Sequence, residues 1–307
     1  MRAPCLQPFL AALVFVGTAT FALAADYTPA DAYQRATRLK TMVASLLAED
    51  LLPEKLAADP EPVASKPRHV LRLAVDVFER VQTLRSLNGL PENPAPDLPP
   101  EQATPGHVVD VLEAATRDLA ELAPVYSVTF DTALPAREDG RGPHDVLARL
   151  RAINASLEHL GVPPVLPNDV YRAALGLDAQ LAKVAKLRGA TTDVDAPTVT
   201  SAQPKDALAE AISFIADLER ISAERPDLAL PQGVATPPVP AAGQPVKPAD
   251  VLLATQFALA DVYSLSVALG NRDPLEPSPP QAGKTPADTQ NAIAHARAQL
   301  AAIAATR

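Results

Sequence analysis

Two histidines and two aspartates occupy one position of a phrase that recurs along the chain: proline, any residue, then Asp or His. In its first four copies that position holds Asp31, His69, His107 and Asp145. Imidazole and carboxylate together suit a divalent cation, so these four are the candidate metal ligands if the segments carrying them meet at one end. If successive segments alternate in direction, only pairs meet: Asp31 with His107, and His69 with Asp145. The last four copies carry Asp169, Asp206, Asp250 and Asp288, so nothing repeats the histidine pair. The competing reading makes all of these polar groups at helix starts. Tyr33 and Tyr171, each four residues after a starting proline, are the ligand-binding candidates. They lie beside an alanine-rich stripe (Ala36, Ala74, Ala115, Ala174, Ala211) that would leave a slot for a small molecule.

Several chemistries are missing. The chain has no Glu-x-x-His, which a di-iron helical bundle needs. It has no Gly-x-Ser-x-Gly. Gly283-Lys284-Thr285 ends like a phosphate-binding loop, but Ser278 stands where the leading glycine belongs. Asn154-Ala155-Ser156 is a glycosylation sequon by its letters only, because it falls inside a helical pattern. The one cysteine is Cys5.

Cys5 precedes an apolar run from Phe9 to Ala24 that ends in Ala22-Leu23-Ala24, a small-x-small pattern. With Arg2 ahead of it, the segment 1–24 reads as a cleaved export signal, too short for the ~20 residues of a membrane span. Its removal leaves no thiol, hence no disulfide, no thiolate metal site and no covalent haem. It also shifts the balance from 27 basic against 36 acidic residues to 26 − 36 = −10. An acidic chain is a poor partner for nucleic acid and for anionic membranes. After residue 24 no other segment is read as long and apolar enough to span a membrane. The expected location is the periplasm or the exterior, and no cofactor is expected.

The elements that carry these residues follow from the phrase itself. Proline suits the first helical position, where a missing N–H costs nothing. An acidic side chain two residues later meets the positive end of the helix dipole. Eight helix starts result: Pro29, Pro67, Pro105, Pro143, Pro167, Pro204, Pro248 and Pro286. At offsets +3, +7, +10, +14 and +17 from these prolines, 38 of 40 residues are apolar, Thr255 and Thr289 being the two others. That 3-4-3-4 spacing puts one apolar stripe on each helix, as in a bundle with shallow crossing angles.

The starts are separated by 38, 38, 38, 24, 37, 44 and 38 residues. The one short interval divides an all-α chain into two tandem four-helix bundles, 26–162 and 163–307. A superhelical solenoid of helix hairpins is the alternative. Up-down-up-down order is expected within each bundle, although the Pro-rich linkers are longer than such order requires. Extended linkers of that length could also return along a helix and allow parallel neighbours. Repetition of structural positions without repetition of reactive groups implies a non-enzymatic scaffold that binds a protein partner through its Pro-rich loops. A bundle that binds a small ligand or a metal is the alternative.

Overall fold

A computed structural model describes residues 27–131 and 133–306; the expected export signal lies outside them. The described chain is all-α. Its helices are α1 (Pro29–Glu49), α2 (Pro67–Leu87), α3 (Pro105–Ala120), the single turn α4 (Ala123–Tyr126), α5 (Pro143–Leu157), α6 (Pro167–Arg188), α7 (Pro204–Glu224), α8 (Pro248–Ala268) and α9 (Pro286–Ala305). Eight of them open at the eight prolines of the repeated phrase.

Each start is closed in the same way. The side chain two residues after the proline folds back and accepts from the backbone N–H of the residue before the proline. Asp31, Asp145, Asp169, Asp206, Asp250 and Asp288 do this at 2.8–2.9 Å. His69 and His107 do it through Nδ1, at 3.0 and 3.3 Å. Thr104 and Thr285 complete the reciprocal half, accepting from the N–H groups of His107 and Asp288. All 40 stripe positions are buried, both threonines included. Thr255 satisfies its hydroxyl by donating to the Val251 carbonyl one turn back, at 2.8 Å.

In the first half, α1 and α2 each pack against both α3 and α5; in the second, α6 and α7 each pack against both α8 and α9. Consecutive helices α1 and α2 thus sit across a diagonal, as do α6 and α7. The direction of the helices differs from the up-down expectation. Gln82 meets Asp118, Arg149 meets Thr37, and Asn154 meets Asp76. His295 meets Asp178, and Arg297 meets Asp217. In each pair the two residues are nearly equidistant from their own starting prolines, which only parallel helices permit. Pro167, Pro204, Pro248 and Pro286 accordingly close around one small void, with Val170, Ala207, Val251 and Thr289 as its lining. Four like-directed helix dipoles converge there, and an aspartate at every start offsets them by about 0.3–1 kcal/mol each.

Parallel neighbours require linkers that travel back the length of a helix. Within each half these linkers have 15–23 residues. At ~3.1 Å per residue in polyproline form they reach about 46 Å or more, against ~31 Å for a 21-residue helix. Extended strands without a ladder must place their carbonyls elsewhere, and helix side chains take several of them. Arg85 donates to the Pro91 carbonyl and Gln34 to that of Pro135. Asn291 holds Val199 by both its N–H and its carbonyl. Leu228, Leu230 and Ala235 add buried apolar groups from the linker before α8.

The two halves meet along α2 and α8. Arg68 and His69, at the start of α2, touch Asp261 late in α8, while Asp76 touches Gln256 one turn and more earlier. These two helices therefore run antiparallel. α8 corrects the expectation that no segment beyond residue 24 is long and apolar enough to cross a membrane. Its length and mean hydropathy of 1.5 meet that description, yet 83% of its most apolar stretch is buried in the fold. A helix that is apolar on every side is what a position shared by two packed groups demands.

Candidate functional site

The four residues proposed as metal ligands are at helix starts of one parallel group, but their side chains are not brought together. Each is bound to its own helix start, and each has a separate second partner. Asp31 pairs with Arg137 at 3.1 Å, Asp145 with Arg141 at 3.3 Å, and His107 Nε2 with Glu101 at 3.0 Å. His69 Nε2 faces Asp261 at 2.7 Å. Among the described residues, no three His, Cys, Asp or Glu side chains form a group able to hold a metal ion. The physical reason is local: a side chain that accepts from the backbone N–H behind it is turned away from the bundle axis.

Tyr33 and Tyr171 do not line a slot. Tyr33 is buried, and the guanidinium groups of Arg141 and Arg149 stack over its ring at 4.6 and 4.5 Å. Lys284 stands over the Tyr171 ring at 4.5 Å. Arg141 and Lys284 are equivalent residues, each two positions before the proline that opens the last helix of its group. Both tyrosines thus bind the returning linker by cation–π contact. The alanines of the stripe are packed, with Ala36, Ala74, Ala115 and Ala174 fully buried.

Sequence reasoning missed two His–Asp pairs, whose members lie far apart in the chain. In the buried one, His69 Nδ1 accepts from the Lys66 N–H, so its proton sits on Nε2 and is donated to Asp261. Arg68 holds the same carboxylate and donates to the Pro231 and Gly233 carbonyls. The imidazole lies flat on Phe257, ring centres 4.2 Å apart. Burial depresses the basicity of His69 more than the Asp261 contact restores it. With both ring nitrogens engaged and no exposure, this imidazole can lock α2 to α8 but cannot exchange a proton with a substrate. The second pair, His295 Nδ1 with Asp178 at 2.6 Å, ties α9 to α6 together with Gln299.

A cleft of about 600 Å³ opens where α2, α6 and α8 meet. It continues past Asp76, Arg80 and Gln256 into a space of about 360 Å³ against α5. Both volumes fall in the range of small-molecule sites, ~300–1,000 Å³. Arg72, Asp76 and Arg80 lie four residues apart on one face of α2, the face turned from its own apolar stripe. Asp76 accepts from Asn154 at 2.7 Å and from Gln256 at 3.4 Å. Burial pushes its carboxyl above the usual range and Glu79 adds to that, against the pull of Arg72, Arg80 and Asn154. Arg172 from α6 pairs with Glu79 at 2.9 Å. Leu252 and Leu259 of α8 and Phe78 of α2 supply apolar parts of the wall. Gly176 keeps the α6 wall low, because a Cβ there would stand 3.4 Å from Leu259 and 3.5 Å from Ser278. Polar groups convergent in a cleft of mixed lining can orient a ligand, and none of the described contacts places a nucleophile beside a base there.

The chain matches no known family model, no curated protein and no solved structure.

Proposed function

We propose that this is a non-enzymatic binding protein and that the cleft between α2, α6 and α8 receives a small molecule. One observation carries the reading: Arg72, Asp76 and Arg80 of α2, Arg172 of α6 and Gln256 of α8 converge on this cleft of about 600 Å³. The Arg72 side chain makes no hydrogen bond or ion pair with any described residue, so its donors are open to a polar guest. Thermal unfolding of the chain from Ala25 onward against a small-molecule library tests this, with Ala173→Phe as the variant that fills the cleft. Compounds that stabilise the wild type are expected to lose their effect in Ala173→Phe. Equal stabilisation of both proteins, or none of either, overturns the reading.

A scaffold role through the Pro-rich loops is the second reading, and one feature favours it. The stretch Thr236-Pro237-Pro238-Val239-Pro240 leaves Val239 57% exposed, a preformed extended surface that a protein partner can read. Partner recovery unchanged after replacing 236–240 by Gly-Ser residues overturns it. The N-terminal apolar segment supports an exported location for either role. The chemistry of the cleft gives no support to nucleic acid, haem or metal.

A further inference from the structure

Arg72 stands where two cavities of different character touch. It lines the first cleft and also a neighbouring, mainly apolar space of about 270 Å³ whose walls include Leu71, Val75, Leu98 and Tyr263, with Glu79, Asp97 and Glu101 also on its lining. Its guanidinium forms no hydrogen bond or ion pair with any described residue. Arg80, one step deeper, has only contacts of 3.3–3.4 Å, to the carbonyls of Pro163 and Asn154 and to Glu158. Two carboxylates beside it have partners: Glu79 pairs with Arg172, and Asp76 accepts from Asn154 and Gln256.

We infer that the cleft takes a small organic carboxylate, with its carboxylate on Arg72 and its apolar body in the Leu71–Val75–Leu98 space. This deepens the binding reading and rests on it. A guanidinium is a planar fork of donors that fits a carboxylate with two parallel bonds. An anion of higher charge, such as phosphate, meets Asp76 and Glu79 on the same face of α2 and has no use for an apolar compartment. A carboxylate bearing a short alkyl or aromatic body answers both surfaces at once.

Calorimetry on the chain from Ala25 onward tests this with benzoate and hexanoate, against benzamide, hexylamine, acetate and inorganic phosphate. Benzoate or hexanoate is expected to bind at least tenfold more tightly than acetate or benzamide. Arg72→Gln is expected to weaken that binding at least tenfold with an unchanged unfolding midpoint, since Arg72 holds no described residue. Binding of benzamide or hexylamine that Ala173→Phe abolishes, without binding of the acids, leaves the cleft a ligand site and overturns the carboxylate. Phosphate binding as tight as benzoate overturns the role of the apolar body. Acid binding indifferent to both Arg72→Gln and Ala173→Phe overturns the inference and the cleft reading together.

Discussion

At the scale of single residues, the position after Pro-x does one job in eight places, and histidine can do it only when neutral. A protonated imidazole has no acceptor at Nδ1, so it loses the bond from the backbone N–H behind it. His69 is buried and its basicity is depressed, first by desolvation. The unfolded chain, with an ordinary imidazole near pH ~6.5, then takes up the proton first. The contribution of His69 to stability is therefore present above about pH 6.5 and is lost as pH falls below it, by at most about 1.4 kcal/mol per pH unit. Urea unfolding at pH 7.5 and pH 5.5 checks this. The wild type is expected to lose more stability than His69→Asn over that interval. The cations over the two tyrosines predict smaller effects: Lys284→Ala is expected to cost about 0.5–1 kcal/mol in chemical denaturation, and Arg141→Ala to lower the midpoint slightly. The eight polar positions were legible from spacing alone. Their partners were not, because Asp261 lies 192 residues from His69 and nothing in either segment announces the other.

At the scale of elements, the repeated phrase locates eight of the nine described helix starts, and all 40 stripe positions are buried, since burial follows the 3-4-3-4 spacing directly. Direction was not legible from that pattern. The same stripe packs equally well against a parallel or an antiparallel neighbour, so only linker length distinguishes them. Linkers of 15–23 residues exceed the ~2–8 that join antiparallel bundle helices, and the excess is the distance back to the starting end. Replacing residues 189–203 by four glycine or serine residues is accordingly expected to abolish cooperative unfolding. Four residues span about 14 Å, less than half the length of α6. Circular dichroism and denaturation check this; an unchanged midpoint would speak for alternating helices. A helix start is a smaller unit. Asp206→Ala removes the acceptor for the Gln203 N–H and the charge at one dipole end, and is expected to cost about 1 kcal/mol.

At the scale of the whole molecule, α8 holds the two groups of helices together. It belongs to the second group of helices by its stripe and to the first by Asp261, Phe257 and Gln256, which face α2. Its uniform apolarity resembles a membrane span in the sequence and proves to be the mark of a helix shared by two cores. Asp261→Leu leaves Arg68 and His69 without their common carboxylate in a dry interface, so a loss of about 3–5 kcal/mol is expected from equilibrium unfolding. The cleft that opens along this contact was invisible to sequence reasoning for the same reason as Asp261, because its walls come from three distant helices. Its existence depends on the parallel arrangement, which sends Arg72, Asp76 and Arg80 along α2 past the middle of α8. The direct measurement is the distance between spin labels on Lys205→Cys and Ala249→Cys, in the chain beginning at Ala25 and hence free of other cysteines. Both residues are exposed second positions of neighbouring helices, α7 and α8. Parallel helices set their axes ~8–10 Å apart at the same end, so a single distance near 20 Å, label arms included, is predicted. A distance of about 30 Å or more, the length of a helix, would place the two starts at opposite ends and contradict it.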